Sequence, residues 1–235
     1  MRELNLNQPE QRTYDWHRAR LGNWTGSEIY KLMGKGRAKN EKFSETAKSY
    51  IIKVLSERML SEEVVKDDEL FGLYINQVSA WSKALEWGVE HEEEARKLYE
   101  KKTGNKVAAV SSIAHETIEF YAASPDGIVT AADKVVEIKC PLPETFVRYK
   151  LMIGDADDLK VVKPEYYWQV MAEMDCTGAS ACDFTAYNPF MGAPLHIATI
   201  ERDNEAIKAI HDRIEEAEEY ILKLTRYDDA EYETI

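Results

Sequence analysis

One group of residues stands out for the chemistry its spacing allows. Ser124-Pro125-Asp126-Gly127 lies between two short apolar stretches, ten residues separate Asp126 from Glu137, and Lys139 follows two positions later. In a strand, residues two apart project from the same face. Glu137 and Lys139 then point together, while Val136 and Ile138 face away. If the flanking stretches pair as a hairpin, Asp126 comes alongside Glu137, and two carboxylates share a small site with an ammonium. Carboxylates that close repel, and a bare pair would have one pKa raised. A divalent cation resolves the conflict, and oxygen ligands of this kind suit Mg²⁺, with Mn²⁺ as a substitute. Such an ion lowers the pKa of bound water and stabilises charge on phosphate. Lys139 would orient the water or neutralise phosphoryl oxygens. The set is an apparatus for hydrolysing a phosphodiester. Taken singly, Pro-Asp-Gly is a common turn tripeptide, and Val-Glu-Ile-Lys alternates as any half-buried strand does. The combination carries the reading.

These side chains need a sheet to hold them, and the hydrophobic pattern supplies one. Short strands are expected at 106–113, 118–123, 127–130 and 135–139, as a meander, with two more at 179–187 and 195–201. Helical spacing predicts helices at 44–60, 74–89, 89–103, 144–153 and 165–174. Gly104 is the natural stop of the third. A long amphipathic helix is expected over 204–224, with Ile207, Ile210, Ile214, Ala217, Ile221 and Leu224 on one face. Thr25-Gly26-Ser27-Glu28 has the capping-box pattern, which predicts a short helix to about Met33. The acidic stretch 228–235 should fray. The order of elements is that of an α/β or α+β fold with a mixed sheet.

The chain has 235 residues, with 30 Lys+Arg against 43 Asp+Glu and a formal charge of −13. At 44% hydrophobic and 31% charged it can bury a sizeable core. The acidic balance argues against nonspecific coating of DNA by the outer surface, but not against DNA held in a cleft. Cys140, Cys176 and Cys182 fit no zinc pattern, and their odd number argues against a disulfide framework. No apolar run is long enough to span a membrane, and the first residues have no signal-peptide pattern. A cytoplasmic protein is expected.

The pattern Asp126-x10-Glu137-x-Lys139 resembles the PD-(D/E)xK nuclease superfamily. Ser124-Pro125-Asp126-Gly127 with Glu137-Ile138-Lys139-Cys140-Pro141 resembles, more narrowly, the lambda-exonuclease or YqaJ-type viral recombinase family. Trp16-x3-Arg20-Leu21-Gly22-x2-Thr25-Gly26-Ser27-Glu28, Trp87-Gly88-x3-Glu92-x2-Ala95-Arg96, Tyr167-x-Gln169 with Glu173, and Ile200-Glu201-Arg202-Asp203 extend the resemblance over residues 14–224. It implies a restriction-endonuclease-like core with a central mixed β-sheet flanked by helices. It implies one nuclease domain over 1–235: a mainly helical part at 1–104, a sheet core at 105–201, and a C-terminal helix with an acidic tail at 202–235.

The resemblance also implies roles. Asp126, Glu137 and the Ile138 carbonyl would hold the metal, with Glu92 as a further acidic ligand, directly or through water. Gln169 would hydrogen-bond the nucleophile or a phosphate. Arg20 and Ser27 would anchor a 5′-terminal phosphate, and a first helical turn at Ser27 would favour the anion. The basic cluster Lys35, Arg37, Lys39 and Lys42 is a candidate contact to the DNA backbone. Leu85 is a candidate apolar wedge at the duplex end. His115, His196 and His211 are read as incidental. The implied activity is a Mg²⁺-dependent 5′→3′ exonuclease that degrades one strand of linear duplex DNA. Its 3′ tails would serve phage-type strand annealing in a bacterial host. A ring-shaped homotrimer and a single-strand annealing recombinase as partner are implied with it. A restriction-type endonuclease and a non-catalytic recombination scaffold remain alternatives.

Overall fold

Hydroxyl and carboxylate caps start most of the helices in the first half of the chain. Thr13 accepts the Trp16 N–H to begin α1 (Tyr14–Arg20), which leads into β1 (Trp24–Thr25). Ser44, Ser61 and Asp67 do the same for α2 (Glu45–Arg58), α3 (Glu62–Lys66) and α4 (Asp68–Val78). Helix α5 (Lys83–Thr103) ends at Gly104, whose φ of +75° suits a residue without Cβ. The helix expected at 74–89 is divided, because α4 stops at Val78 and α5 begins at Lys83. The computed structural model describes residues 1, 2, 4, 9–38, 41–79 and 83–232, with 83–85 and 226–232 described by backbone alone.

Strands β2 (Ile113–Ala114), β3 (Tyr121–Ala123), β4 (Gly127–Val129) and β5 (Lys134–Lys139) follow. Then come α6 (Pro143–Met152), α7 (Ala156–Val162), α8 (Pro164–Thr177), β6 (Ala181–Tyr187), β7 (Leu195–Glu201) and α9 (Asn204–Tyr232). The expected meander is two sheets. One has the order β1-β3-β2 and the other β4-β5-β6-β7. The second is mixed, antiparallel at β4–β5 and β6–β7 and parallel at β5–β6. Parallel neighbours need a long crossover, which here contains α6, α7 and α8. Of the strand expected at 106–113, only the Ala108–Ile128 bridge and Ile113 pair.

The capping box at Thr25 does not form. Thr25 lies in β1, paired in parallel with Ala122, and its N–H goes to Tyr50 Oη at 3.0 Å. Glu28 pairs with Lys31 and Lys53, and only a 3₁₀ turn follows, Ile29–Lys31. Pairing with β3 satisfies this backbone better than a helical turn would.

One core cluster joins both halves of the chain: Trp24, Ile29 and Ile51 pack with Val170, Phe184, Ile210 and Ile214. Ile207, Ile210, Ile214, Ala217 and Ile221 of α9 are buried, as their spacing requires. Glu218 on α9 accepts from Trp24 Nε1 at 2.6 Å and from the Arg58 fork at 2.7 and 2.8 Å. The acidic stretch is helical as far as Tyr232 rather than frayed from 228. No helix among the described residues is long and apolar enough to cross a membrane.

Candidate active site

The β4–β5 ladder runs Val129–Lys134, Ile128–Val135, Gly127–Val136. One further step sets Asp126 opposite Glu137. There the ladder gives way to a side chain: Asp126 Oδ2 accepts the Ile138 N–H at 2.6 Å. This N–H leaves β5 on the Asp126 side, so the Ile138 carbonyl leaves on that side too. Gly127 allows the approach. A Cβ there would lie 2.2 Å from Val107 Cγ1 and 3.2 Å from the Ala108 carbonyl. Val136 and Ile138 pack under Ala95 and Tyr99 of α5, while Glu137 and Lys139 share the opposite face.

Helix α8 covers that face. Glu137 is 2% exposed, and Gln169 is buried beside it. Gln169 Nε2 donates to Glu137 Oε1 at 2.7 Å and to Glu173 Oε1 at 2.8 Å. Two carboxylates on one side fix the amide, so Gln169 Oε1 turns to Lys139 Nζ at 3.5 Å. Lys139 also pairs with Glu137 and stands 4.6 Å from the Tyr166 ring centre. Glu173 was visible in sequence only as part of a motif. It is 1% exposed, and four residues after Gln169 it sits on the same helix face.

The site holds more negative than positive charge. Burial, then the nearby Glu137 and Glu92 carboxylates, push the Asp126 pKa well above the usual range. Burial, then Glu137 and Asp126, do the same to Glu173. Burial opposes the Lys139 charge, but Glu137 and Asp126 outweigh it and raise its pKa. Glu137 Oε2 and Glu173 Oε2 are buried without a hydrogen-bond partner among the described residues. Orphaned acceptor oxygens among crowded carboxylates are what a hard divalent cation requires. The residues present therefore fit a hard divalent cation.

Glu92 is engaged differently from expectation. Its Oε2 meets Arg12 Nη2 at 2.6 Å and its Oε1 meets Arg96 Nη2 at 2.8 Å. It reaches Asp126 through its charge, since it helps to raise that pKa, and both its oxygens are held by guanidinium groups.

Arg20 and Ser27 come together in a cavity of about 450 Å³ that Trp16, Tyr50 and Lys53 also line. Arg20 Nη2 donates to Ser27 Oγ at 3.2 Å and Nη1 to Ser124 Oγ at 2.8 Å. Its guanidinium lies 4.2 Å from the Trp16 ring centre. No carboxylate pairs with it among the described residues, and burial lowers its pKa. A half-buried guanidinium facing hydroxyls suits an anion. The favourable feature is this fork and not a helix start, because only the 3₁₀ turn follows Ser27. Ser124 is not in the cavity lining; it holds the Arg20 fork from the side of the tetrapeptide that bears Asp126.

Lys35 and Arg37 are exposed on a loop whose ends Arg213 holds through the carbonyls of Leu32, Gly34 and Lys42. Lys42 pairs with Glu216. Lys39 and the side chain of Leu85 lie outside the described residues.

Two histidines read as incidental are not isolated. His211 Nε2 lies 2.6 Å and His115 Nε2 3.4 Å from Asp175 Oδ2, and Arg202 holds Asp175 Oδ1 at 3.0 Å. The ligand atoms of these three residues lie within 4.8 Å of one another, close enough for a metal ion. However, His115 Nδ1 accepts the N–H groups of Thr117 and Ile118 at 3.2 and 2.9 Å. Its proton is then on Nε2, directed at Asp175, and no lone pair remains there for a metal. The cluster clamps α8 and α9 to the β2–β3 turn.

The YqaJ-like viral recombinase domain matches residues 15–180. Among solved structures, the chain is similar to the alkaline exonuclease LHK-Exo of Laribacter hongkongensis. That match has 28% identity and a TM-score of 0.69, and it covers 93% of this chain and 99% of that one. The complex of LHK-Exo with dAMP matches at 28% identity with a TM-score of 0.70, over the same shares of each chain. A phage-related exonuclease from Haemophilus somnus 129PT shares the fold at 18% identity and a TM-score of 0.63, over 87% of this chain and 96% of that one. No curated protein matches the chain. The mixed sheet with flanking helices is the restriction-endonuclease-like architecture of these neighbours.

Proposed function

The chain belongs to the YqaJ-like viral recombinase family, and on that premise we propose that it is a Mg²⁺-dependent 5′→3′ exonuclease acting on linear duplex DNA. The observation that carries the reading is the pairing of two sites through one segment. Ser124 holds Arg20 in an anion pocket, and Asp126, two residues on, faces Glu137 and Lys139. A phosphodiesterase centre alone selects no end. An adjacent pocket for a terminal phosphate does.

Asp126, Glu137 and the Ile138 carbonyl would hold the ion, with Glu173 behind them. The ion supplies an activated water and charge for the phosphate. The protein's own groups do the rest. The Ile138 N–H orients the Asp126 carboxylate. Gln169 locks Glu137 and turns its oxygen to Lys139. Lys139 brings a half-buried positive charge to the developing negative charge of the scissile phosphate. Arg20, Ser27 and Ser124 grip the 5′-phosphate and set the distance to the cut. Lys35 and Arg37 are suited to the duplex backbone.

Family membership also supports one nuclease unit over 1–235, a ring of three chains and a single-strand annealing partner. It supports work in the cytoplasm of a bacterial host, leaving 3′ tails for recombination. The test is digestion of linear duplex labelled separately at each end, with and without Mg²⁺, beside a closed circle. Loss of the 5′ label first, only with Mg²⁺ and only from the linear form, is expected. Cutting of the circle would overturn the exonuclease reading in favour of an endonuclease.

A further inference from the structure

We propose that a cavity beside Asp126, built by Arg12, Arg96 and Ser111, is a second phosphate subsite. It would take the phosphodiester that follows the scissile one in the degraded strand. The inference rests on the exonuclease reading and extends it to the far side of the cut.

The cavity has a volume of about 340 Å³, and Gln11, Arg12, Arg96, Val110, Ser111 and Asp126 line it. Its wall contains unused donors. Ser111 is 3% exposed, and its hydroxyl has no partner among the described residues. Arg96 Nε is likewise buried and unpartnered. Buried donors without acceptors are rare, because each loses its water without replacement. A ligand with several acceptor oxygens would satisfy both.

Arg12 is delivered to this place at a cost. Its φ is +72°, in the left-handed region that non-glycine residues seldom occupy. The preceding Gln11 is tied down on both sides of the cavity wall. Gln11 Nε2 donates to the Val110 carbonyl at 2.9 Å and the Pro125 carbonyl at 3.0 Å. The N-terminal segment is thereby stitched to the residue before Asp126. Strain of this kind persists where the surroundings over-determine it, often at binding sites.

The charge is also suitable. Arg12 and Arg96 share the single carboxylate of Glu92, and the Asp126 carboxylate in the lining balances the remaining positive charge until a divalent cation takes it up. Glu10 lines the cavity too, but it is exposed to solvent. Arg12 engages Glu92 through Nη2, so the rest of its fork has no partner among the described residues. Forks of this shape match phosphate oxygens. Successive phosphates of one strand are about 3.4 Å apart along the helix axis, so a scissile group at Asp126 brings its neighbour to the adjoining cavity. Three consecutive phosphates would then have their own groups: Arg20 with Ser124, the Asp126–Glu137–Lys139 centre, and Arg12 with Arg96.

The test neutralises one phosphate at a time. Duplexes carry a single methylphosphonate at the third or the sixth phosphate, counting the 5′-terminal group as the first. Wild type is compared with Arg12→Gly, since glycine accepts φ +72° without strain. Affinity is read by anisotropy in EDTA, the first cleavage in Mg²⁺, and folding from Tm. In wild type, neutralising the third phosphate should weaken binding roughly tenfold or more. Arg12→Gly should lose a similar factor on unmodified DNA and almost nothing further on the third-position duplex. At the sixth position the two losses should multiply. A wild type indifferent to the third phosphate, or losses that multiply there, would overturn the subsite while leaving the exonuclease reading intact. Failure of wild type to digest the unmodified duplex would overturn both.

Discussion

Arg20 Nη1 donates to Ser124 Oγ at 2.8 Å across 104 residues of chain, and Asp126 stands two residues beyond that serine. On the exonuclease reading, end selection and bond cleavage are therefore mechanically adjacent. Linear DNA with 5′-phosphate ends should be digested faster than 5′-hydroxyl DNA. Contacts to an ionised group contribute about 1.5–3 kcal/mol each, which is roughly 10–150-fold. Arg20→Ala should slow the phosphorylated substrate and narrow the gap. The four rates must be compared at one salt concentration. Equal slowing of both substrates would place end selection elsewhere.

Lys139→Ala should reduce turnover by about 10²–10³-fold, the usual effect of losing a positioned transition-state charge. DNA binding and secondary structure should persist, because the Lys139 side chain is not part of the apolar core. Single-turnover rates and circular dichroism would check this. Near-normal turnover would reduce Lys139 to a strand residue with no part in the chemistry.

Mg²⁺ should raise the Tm of wild type at neutral pH. An ion at one hundred times its Kd contributes about 2.7 kcal/mol. Glu137→Gln should lose that rise. In EDTA it should melt higher than wild type, because one of the crowded buried carboxylates is gone. An undiminished Mg²⁺ response in Glu137→Gln would put the ion at another site.

Asp175 predicts an acid sensitivity. Burial raises its pKa, but hydrogen bonds from His115 and His211 outweigh this and hold it below the ordinary value of 3.8. A depressed carboxylate contributes stability above its unfolded pKa and loses it as pH falls through the folded one. Asp175→Asn should cost about 1.5–3 kcal/mol at pH 7. The difference from wild type should hold at pH 5 and shrink at pH 3. Urea midpoints at the three pH values measure it, and a gap that widened in acid would reverse the assignment.

What could be read from sequence depended on how far apart the partners are. Glu137 and Lys139 were legible because strand alternation is a two-residue rule, and Asp126 because a tight antiparallel connection fixes its register. Gln169 and Arg20 were reached through motif resemblance. Ser124 and Glu173 lay inside quoted motifs, yet their roles depend on contacts with Arg20 and with the Gln169–Glu137 pair that no local pattern encodes. Thr25-Gly26-Ser27-Glu28 misled because a strong capping signal lost to parallel pairing with β3, a partner nearly a hundred residues away. Asp175 with its two histidines was invisible for the same reason: three elements supply one residue each.

Glu218 gives the molecule an order of assembly. In synthesis Arg20 and Trp24 emerge well before Glu218, which lies 194 residues after the indole it holds. Glu137 must wait for Gln169, 32 residues on, before its carboxylate is locked. A half-made chain therefore has the acidic strand but no cover for it. On the exonuclease reading, the catalytic face is complete only once Gln169 and Glu173 of α8 have been made.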